Sequence, residues 1–232
     1  MTIKPLHSWD LSAAEAFALQ KELAKSLDIV EPLGGWKTLA AADVSFDRFG
    51  TELFAGIVVL KVPGFEVIER VGVTSPARFP YIPGLLSFRE APALLEAFAR
   101  LENTPDVVLC DGQGIAHPRR LGIASHLGLW LRIPTIGCAK SRLCGQYEEP
   151  GANRGDRSPL IDRGEIVGAV LRTKAKVKPL FVSPGHRCDL ESAVAVVMET
   201  GGKYRLPEPA RMAHDYVNEI RRASKTAPSH PD

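Results

Sequence analysis

A short apolar run that stops on an acid limits most tightly what this chain can fold into. Val107-Val-Leu-Cys110 has the length and β-branched character of a buried strand. Asp111 follows at once, and then Gly112-Gln-Gly114 signals a turn. In an open α/β sheet, ligands sit beyond the carboxyl ends of the strands. An acid at that place is either aimed at a ligand or caps the next loop or helix. The choice depends on whether the rest of the chain supplies it with partners.

The 232 residues, 45% of them hydrophobic, suffice for one large domain whose core needs no staples. We expect that domain to span residues 1–225, with a disordered tail at 226–232. The formal charge of +2 does not advertise nucleic acid by bulk electrostatics, although a local basic groove stays open. Cys110, Cys138, Cys144 and Cys188 show no close pairing, which argues against a zinc site or a disulfide framework and for a reducing compartment. The N-terminus carries no apolar signal core and no run reaches membrane length, so a soluble cytoplasmic protein is expected.

Ser12-Ala-Ala-Glu15 reads as a capping box, and Ala16, Leu19, Leu23 and Leu27 recur at helical spacing behind it. Three strands are expected over residues 37–46, 53–62 and 65–73, the last two joined at Pro63-Gly64, as an antiparallel meander. After a segment rich in proline and glycine comes a helix opened by Pro92, then the strand that stops at Asp111. A helix at 120–131 and a strand at 135–138 follow, and residues 142–160 read as a loop. Strands at 166–171 and 179–183 and helices at 189–199 and 209–222 complete the chain. This order gives an α/β fold: a mixed sheet of three antiparallel strands followed by parallel ones, flanked by helices. A ribonuclease H-like fold has this arrangement, with one acid in the first strand and another after the fourth, and that analogy alone assigns no function.

Asp43 lies in the otherwise apolar or small stretch 39–44, where a carboxylate is costly without a partner. Glu90 is expected at or just before the helix that Pro92 opens, because a cap at Ser87 would put the proline beyond the first turn. Three acids at separate junctions suit magnesium, a hard cation that takes oxygen ligands and serves phosphate chemistry.

Six segments then resemble the signature blocks of the endonuclease V family. They are Asp43-Val-Ser-Phe, Pro80-Tyr-Ile-Pro-Gly84, Ser87-Phe-Arg-Glu90, Asp111-Gly-Gln-Gly-Ile-Ala-His-Pro-Arg-Arg, Ile136-Gly-Cys-Ala-Lys140-Ser and Ser183-Pro-Gly-His-Arg-Cys-Asp189-Leu. They stand in the family order over roughly residues 35–215, and chance matches in register multiply to a very small probability. The resemblance implies an enzyme that nicks DNA at the second phosphodiester 3′ to a deaminated purine, chiefly inosine, with Mg²⁺ or Mn²⁺. It leaves open an inosine-specific ribonuclease or a structure-specific nuclease of the same fold. It implies that Asp43 and Asp111 hold the metal, that Glu90 joins the same centre, that Lys140 neutralises phosphate and that His214 completes the site. The expected partner is DNA with deaminated bases, or RNA, bound by a monomer and no membrane.

Each residue also has a plainer reading. Tyr81, Ile82 and Pro83 are an ordinary turn on composition alone; the resemblance makes them a wedge that opens the base stack. Gly84, Gly112 and Gly114 are turn glycines or allow close backbone approach to a flipped base in a pocket with Ile123. Lys140 taken alone is a solvated lysine. His117, Arg119 and Arg120 bind phosphate or line a solvated helix face. His186 and Asp189 fall within a matched block, but Asp189 serves equally well as a helix cap. Lys174, Lys176 and Lys178 read as a solvated strand edge. A non-catalytic nucleic-acid binder is the reading from another class, and three carboxylates beside phosphates count against it.

Overall fold

The computed structural model describes residues 1–47 and 50–226. Of the tail expected at 226–232, only the backbone of Thr226 is included; residues 227–232 lie outside the described residues. In chain order the elements are α1 (Ala13–Ala24), β1 (Thr38–Phe46), β2 (Glu52–Lys61), β3 (Glu66–Pro76), α2 (Leu86–Ala99), β4 (Val107–Cys110), α3 (Ile123–Leu131), β5 (Thr135–Ala139), β6 (Arg157–Asp162), β7 (Glu165–Leu171), β8 (Leu180–His186), α4 (Leu190–Glu199) and α5 (Glu208–Thr226).

Among the described residues the strands form one sheet in the order β3-β2-β1-β4-β5-β8-β7-β6. β1, β2 and β3 are antiparallel, and β1-β4 and β4-β5 are parallel. This is the mixed α/β sheet the sequence leads one to expect. Beyond β5 the pairing is antiparallel again through β8, β7 and β6.

Alternation along β1 sorts the two faces. Ala40 and Ala42 pack in the core shared with α2 and α3, with Val108 and Cys110 of β4 beside them. Leu39 and Ala41 pack in the core shared with α4 and α5. Asp43 continues the second series, toward α5. The capping box of α1 is present, with Ser12 and Glu15 satisfying each other's backbone N–H groups.

Three expectations need correction. Pro92 lies inside α2 and does not open it, so Glu90 sits on the helix and not at its start. The apolar face of α2, with Leu94 and Phe98 buried, holds the helix together through the proline. Ser87 is no cap either: it is buried and hydrogen-bonds His126 Nδ1 at 3.0 Å. Residues 142–160, expected as a loop, include the first part of β6, an edge strand whose pattern alternates too weakly to stand out. The helix expected from 120 begins at Ile123, and residues 111–122 are loop.

Candidate active site

Parallel pairing sets Ala42 against Cys110, so the next residues of the two strands stand side by side, the first still within β1 and the second just past β4. Those residues are Asp43 and Asp111. Asp43 is 8% exposed. Its Oδ1 accepts the Val44 N–H at 2.8 Å, and its Oδ2 accepts from His214 Nδ1 at 2.9 Å. Asn218, one turn further along α5, steadies that imidazole: its Nδ2 donates to the His214 carbonyl at 2.8 Å and lies 3.3 Å from Nε2. Lys140, just past β5, donates to Asp111 Oδ2. Arg205 fixes the same strand end by donating to the Lys140 carbonyl at 2.7 Å.

Glu90 approaches from α2, on the opposite face of the sheet, and is buried. Burial pushes its carboxyl up to about 8, and the charges of Asp43 and then Asp111 add to the effect. Asp43 is pushed up to about 6, by burial and then by Asp111, against the pull of His214 and Lys140. Like charges in a partly desolvated corner destabilise one another. One ligand atom each from Asp43, Asp111 and His214 lies within 4.8 Å of the other two. Two carboxylates and an imidazole that close together could hold a divalent cation, and a double positive charge is what the repelling carboxyls lack.

Beside these acids is a cavity of about 430 Å³, within the ~300–1,000 Å³ typical of small-molecule sites. Glu90, Asp111 and Lys140 form part of its wall, and Tyr81, Ile82, Pro83, Gly84, Gly112 and Ile123 form more of it. Tyr81 is 64% exposed at the rim. The structure thus brings Asp43, Glu90, Asp111, Lys140 and His214 together and places the expected base-pocket residues next to them. Leu86, Leu121 and Leu143 also line the cavity, and sequence reading missed them because an isolated leucine carries no signal of its own.

Gly112 and Gly84 differ from Gly114. Gly112 has φ +157°, and a Cβ there would meet Ile123 Cγ2 at 2.5 Å. Gly114 is spent on the fold: its N–H donates to Ser183 Oγ at 2.9 Å, its carbonyl accepts from Gly122 at 2.9 Å, and its Cα lies against the Pro184 carbonyl. Both of its main-chain groups already have partners. Among the described residues the main chain of Gly112 has no hydrogen-bond partner and remains free.

Other candidates have partners within the fold. Arg120 lies in the loop before α3, not on a helix face; it pairs with Asp162 at 2.7 Å and Glu165 at 2.9 Å and anchors the β6-β7 hairpin. Arg119 is turned inward to the Gly84 carbonyl at 2.8 Å. Asp189 caps α4 by accepting from Ser192 N–H at 2.8 Å, and His186 Nδ1 accepts from Asp28 N–H at 3.2 Å. Lys174, Lys176 and Lys178 are exposed as expected but lie in the β7-β8 loop, not on a strand edge.

The sequence and the fold are similar to those of known proteins. An Endonuclease V from Gloeobacter violaceus is 49% identical over 221 residues, covering 94% of this chain and 90% of that protein. The crystal structure of the Bacillus subtilis Endonuclease V superposes with a TM-score of 0.91 at 31% identity, covering 97% of this chain and 99% of that one. A Ciona intestinalis Endonuclease V, in complex with a 24mer DNA containing an inosine followed by a ribo-adenosine, superposes with a TM-score of 0.80 at 29% identity, covering 91% of this chain and 98% of that one. The family profile described as Endonuclease V matches residues 18–215. With the relatives it shows that this chain belongs to the Endonuclease V family of endonucleases.

Proposed function

We propose that this endonuclease nicks DNA at the second phosphodiester 3′ to a deaminated purine, chiefly deoxyinosine, with Mg²⁺ held by Asp43 and Asp111. One observation carries the reading: Glu90, Asp111 and Lys140 stand on the wall of the cavity that Tyr81–Gly84, Gly112 and Ile123 line. Chemistry on phosphate and recognition of a base thus have adjoining places. That a Ciona intestinalis relative is seen on inosine-containing DNA supports the choice of lesion.

In this reading Tyr81, Ile82 and Pro83 enter the base stack, and the proline rings limit the entropy lost on insertion. The extruded base occupies the cavity, where the free main chain of Gly112 tells a six-position carbonyl from an amino group. Unpaired donors left by adenine oppose its binding. A bound divalent cation, with Mn²⁺ able to replace Mg²⁺, supplies a lowered water pKa and charge stabilisation at phosphorus. Asp43 and Asp111 hold that charge in place, and His214 orients Asp43. Glu90 sits beside them in the same centre. Lys140 offsets charge on the scissile phosphate. The products are a 3′-hydroxyl and a 5′-phosphate, with the altered base left in the strand.

Three exposed apolar side chains, Tyr81, Leu86 and Leu143, border this cavity and suit a nucleic-acid partner for a monomer. The four cysteines are free, which suits the cytoplasm, and no described helix is long and apolar enough to cross a membrane. Residues 1–225 act as one domain, since all eight described strands share one sheet.

Nicking of paired oligonucleotides, inosine against adenine, with and without EDTA, tests the proposal. EDTA-sensitive cleavage confined to inosine is expected; equal cleavage of both would overturn it. The same assay with a ribonucleotide after the inosine, and with full RNA, decides between deoxyribonuclease and ribonuclease action.

A further inference from the structure

Gln20 breaks the pattern of its helix. α1 turns Ala16 and Leu23 inward, and Gln20 lies between them with no exposed surface. A buried amide persists when protein hydrogen bonds replace its water. Those of Gln20 all go to two loops far away in the sequence. Its Nε2 donates to the Gly84 carbonyl at 3.1 Å and to the Leu121 carbonyl at 2.8 Å. Its Oε1 accepts from Arg119 Nε.

Arg119 is held by the same helix, with its guanidinium carbon 4.4 Å from the centre of the Phe17 ring. It donates in turn to the Gly84 carbonyl at 2.8 Å. His117 Nδ1 accepts the Arg119 N–H at 3.1 Å. Two side chains, those of Gln20 and Arg119, therefore converge on one carbonyl.

Gly84 is the inner corner of the segment that carries Tyr81. Leu85 N–H donates to the Ile82 carbonyl at 2.9 Å, which closes a turn with Pro83 second and Gly84 third. Gly84 has φ +79°, as the third position of a type II turn requires, and a Cβ there would collide with the Arg119 guanidinium. Leu121 is the corner of the facing wall, immediately before Gly122 and Ile123, and both walls belong to the cavity beside Asp111.

We infer that Gln20 is a positioning residue: its amide clamps the Gly84 and Leu121 carbonyls together and so sets the width of the cavity for one class of base, a purine with a six-position carbonyl. The inference rests on the proposed reading of that cavity as a base pocket. Discrimination between bases that differ by one donor and one acceptor needs walls fixed to a fraction of an ångström. A glutamine reaching both walls from a third element supplies that constraint, and neither wall supplies it alone. A role confined to anchoring α1 would lower stability and leave the choice of base untouched.

The experiment compares wild type with Gln20→Met and Gln20→Glu on matched inosine and adenine oligonucleotides in Mg²⁺. Circular dichroism gives the folded fraction of each protein. Met keeps the volume without the hydrogen bonds, and Glu keeps the partner of Arg119 but sets a carboxylate against the two carbonyls. The expected result is a fall of about tenfold or more in the inosine-to-adenine ratio of kcat/KM, carried by KM and not by kcat. A ratio within about twofold of wild type in folded variants overturns the positioning role. So does failure of both variants to fold, which would make Gln20 a structural residue only. Wild type that shows no inosine preference would sink the proposed function itself, a result distinct from either of these.

Discussion

Asp43 stands directly opposite Gly56 in the β1-β2 ladder, and the absent side chain of Gly56 is what lets α5 come down onto the acid. A Cβ at Gly56 would lie 2.6 Å from Val217 Cγ1 and 3.1 Å from Tyr216 Cδ1. On the next strand Gly72 pairs with Gly56, and a Cβ there would lie 2.5 Å from Ile220 Cδ1. The two glycines form a trough across the sheet. α5 settles into it, and His214 reaches Asp43.

Gly56→Ala should therefore act at the acid cluster through α5. We expect a loss of about 1–3 kcal/mol in urea unfolding, as for other overpacked sites. Nicking should fall by roughly 10- to 100-fold, as when the partner of a metal ligand is disturbed. Magnesium titrations should show a higher half-saturating concentration. An unchanged metal requirement in a folded Gly56→Ala protein would mean that the approach of His214 to Asp43 is immaterial.

Asp43→Ala and Asp111→Ala should each reduce nicking of inosine DNA below about 1% of wild type, because in the proposed function both hold the same cation. Folding should survive, since each change removes one of several mutually repelling carboxyls. Melting curves in EDTA check this. Full activity of either purified variant in magnesium would remove these residues from the catalytic centre.

Tyr81→Ala separates substrate opening from folding. At 64% exposed, Tyr81 contributes little to the core, so stability should change by no more than about 0.5 kcal/mol. Nicking of paired inosine DNA should drop by about tenfold or more, and nicking of single-stranded inosine DNA by less, because no stack need be opened there. Equal losses on both substrates would argue against a wedge.

Acid should weaken the protein through its buried histidines. Trp130 Nε1 donates to His7 Nε2 at 3.1 Å, and His7 Nδ1 donates to the Ser8 carbonyl at 2.8 Å, which fixes His7 as neutral. His126 Nε2 lies 2.8 Å from the same His7 Nε2, and its Nδ1 lies 3.0 Å from Ser87 Oγ. Burial holds the His126 ring well below the ordinary 6.5, lowers His7 in the same direction, and brings His117 down to about 4, with Arg119 adding to the effect there. Below 6.5 the unfolded chain binds protons that the folded chain refuses, so stability is full above that pH and falls as pH drops toward 4. The melting temperature should decline from pH 7 to pH 5, and less steeply in His126→Phe. Parallel declines in the two proteins would show that His126 does not contribute.

The site was legible in the sequence where its signals are local. Val107–Cys110 followed by Asp111 announces a strand with an acid at its end, because a buried strand of this kind reads as an unbroken apolar run. Asp43 shows itself as a charge within such a run. The Tyr81, Gly112 and Lys140 blocks are short and contiguous. Pro92 misled for the converse reason: local geometry forbids proline inside a helix, and the buried face of α2 against the sheet outweighs that cost.

By itself the sequence determined most of the elements whose periodicity lies within a few residues, the mixed character of the sheet and the acids in or just past its strands. Only the tertiary structure decided that glycines at 56 and 72 would admit α5, and that Asn218 would hold His214. It also decided that Gln20 would be buried between two distant loops, and that Gly114 would be consumed by the fold while Gly112 stays free. These features depend on contacts between segments far apart in the chain. Such contacts exist only after the layers have packed, and no window of neighbouring residues encodes them.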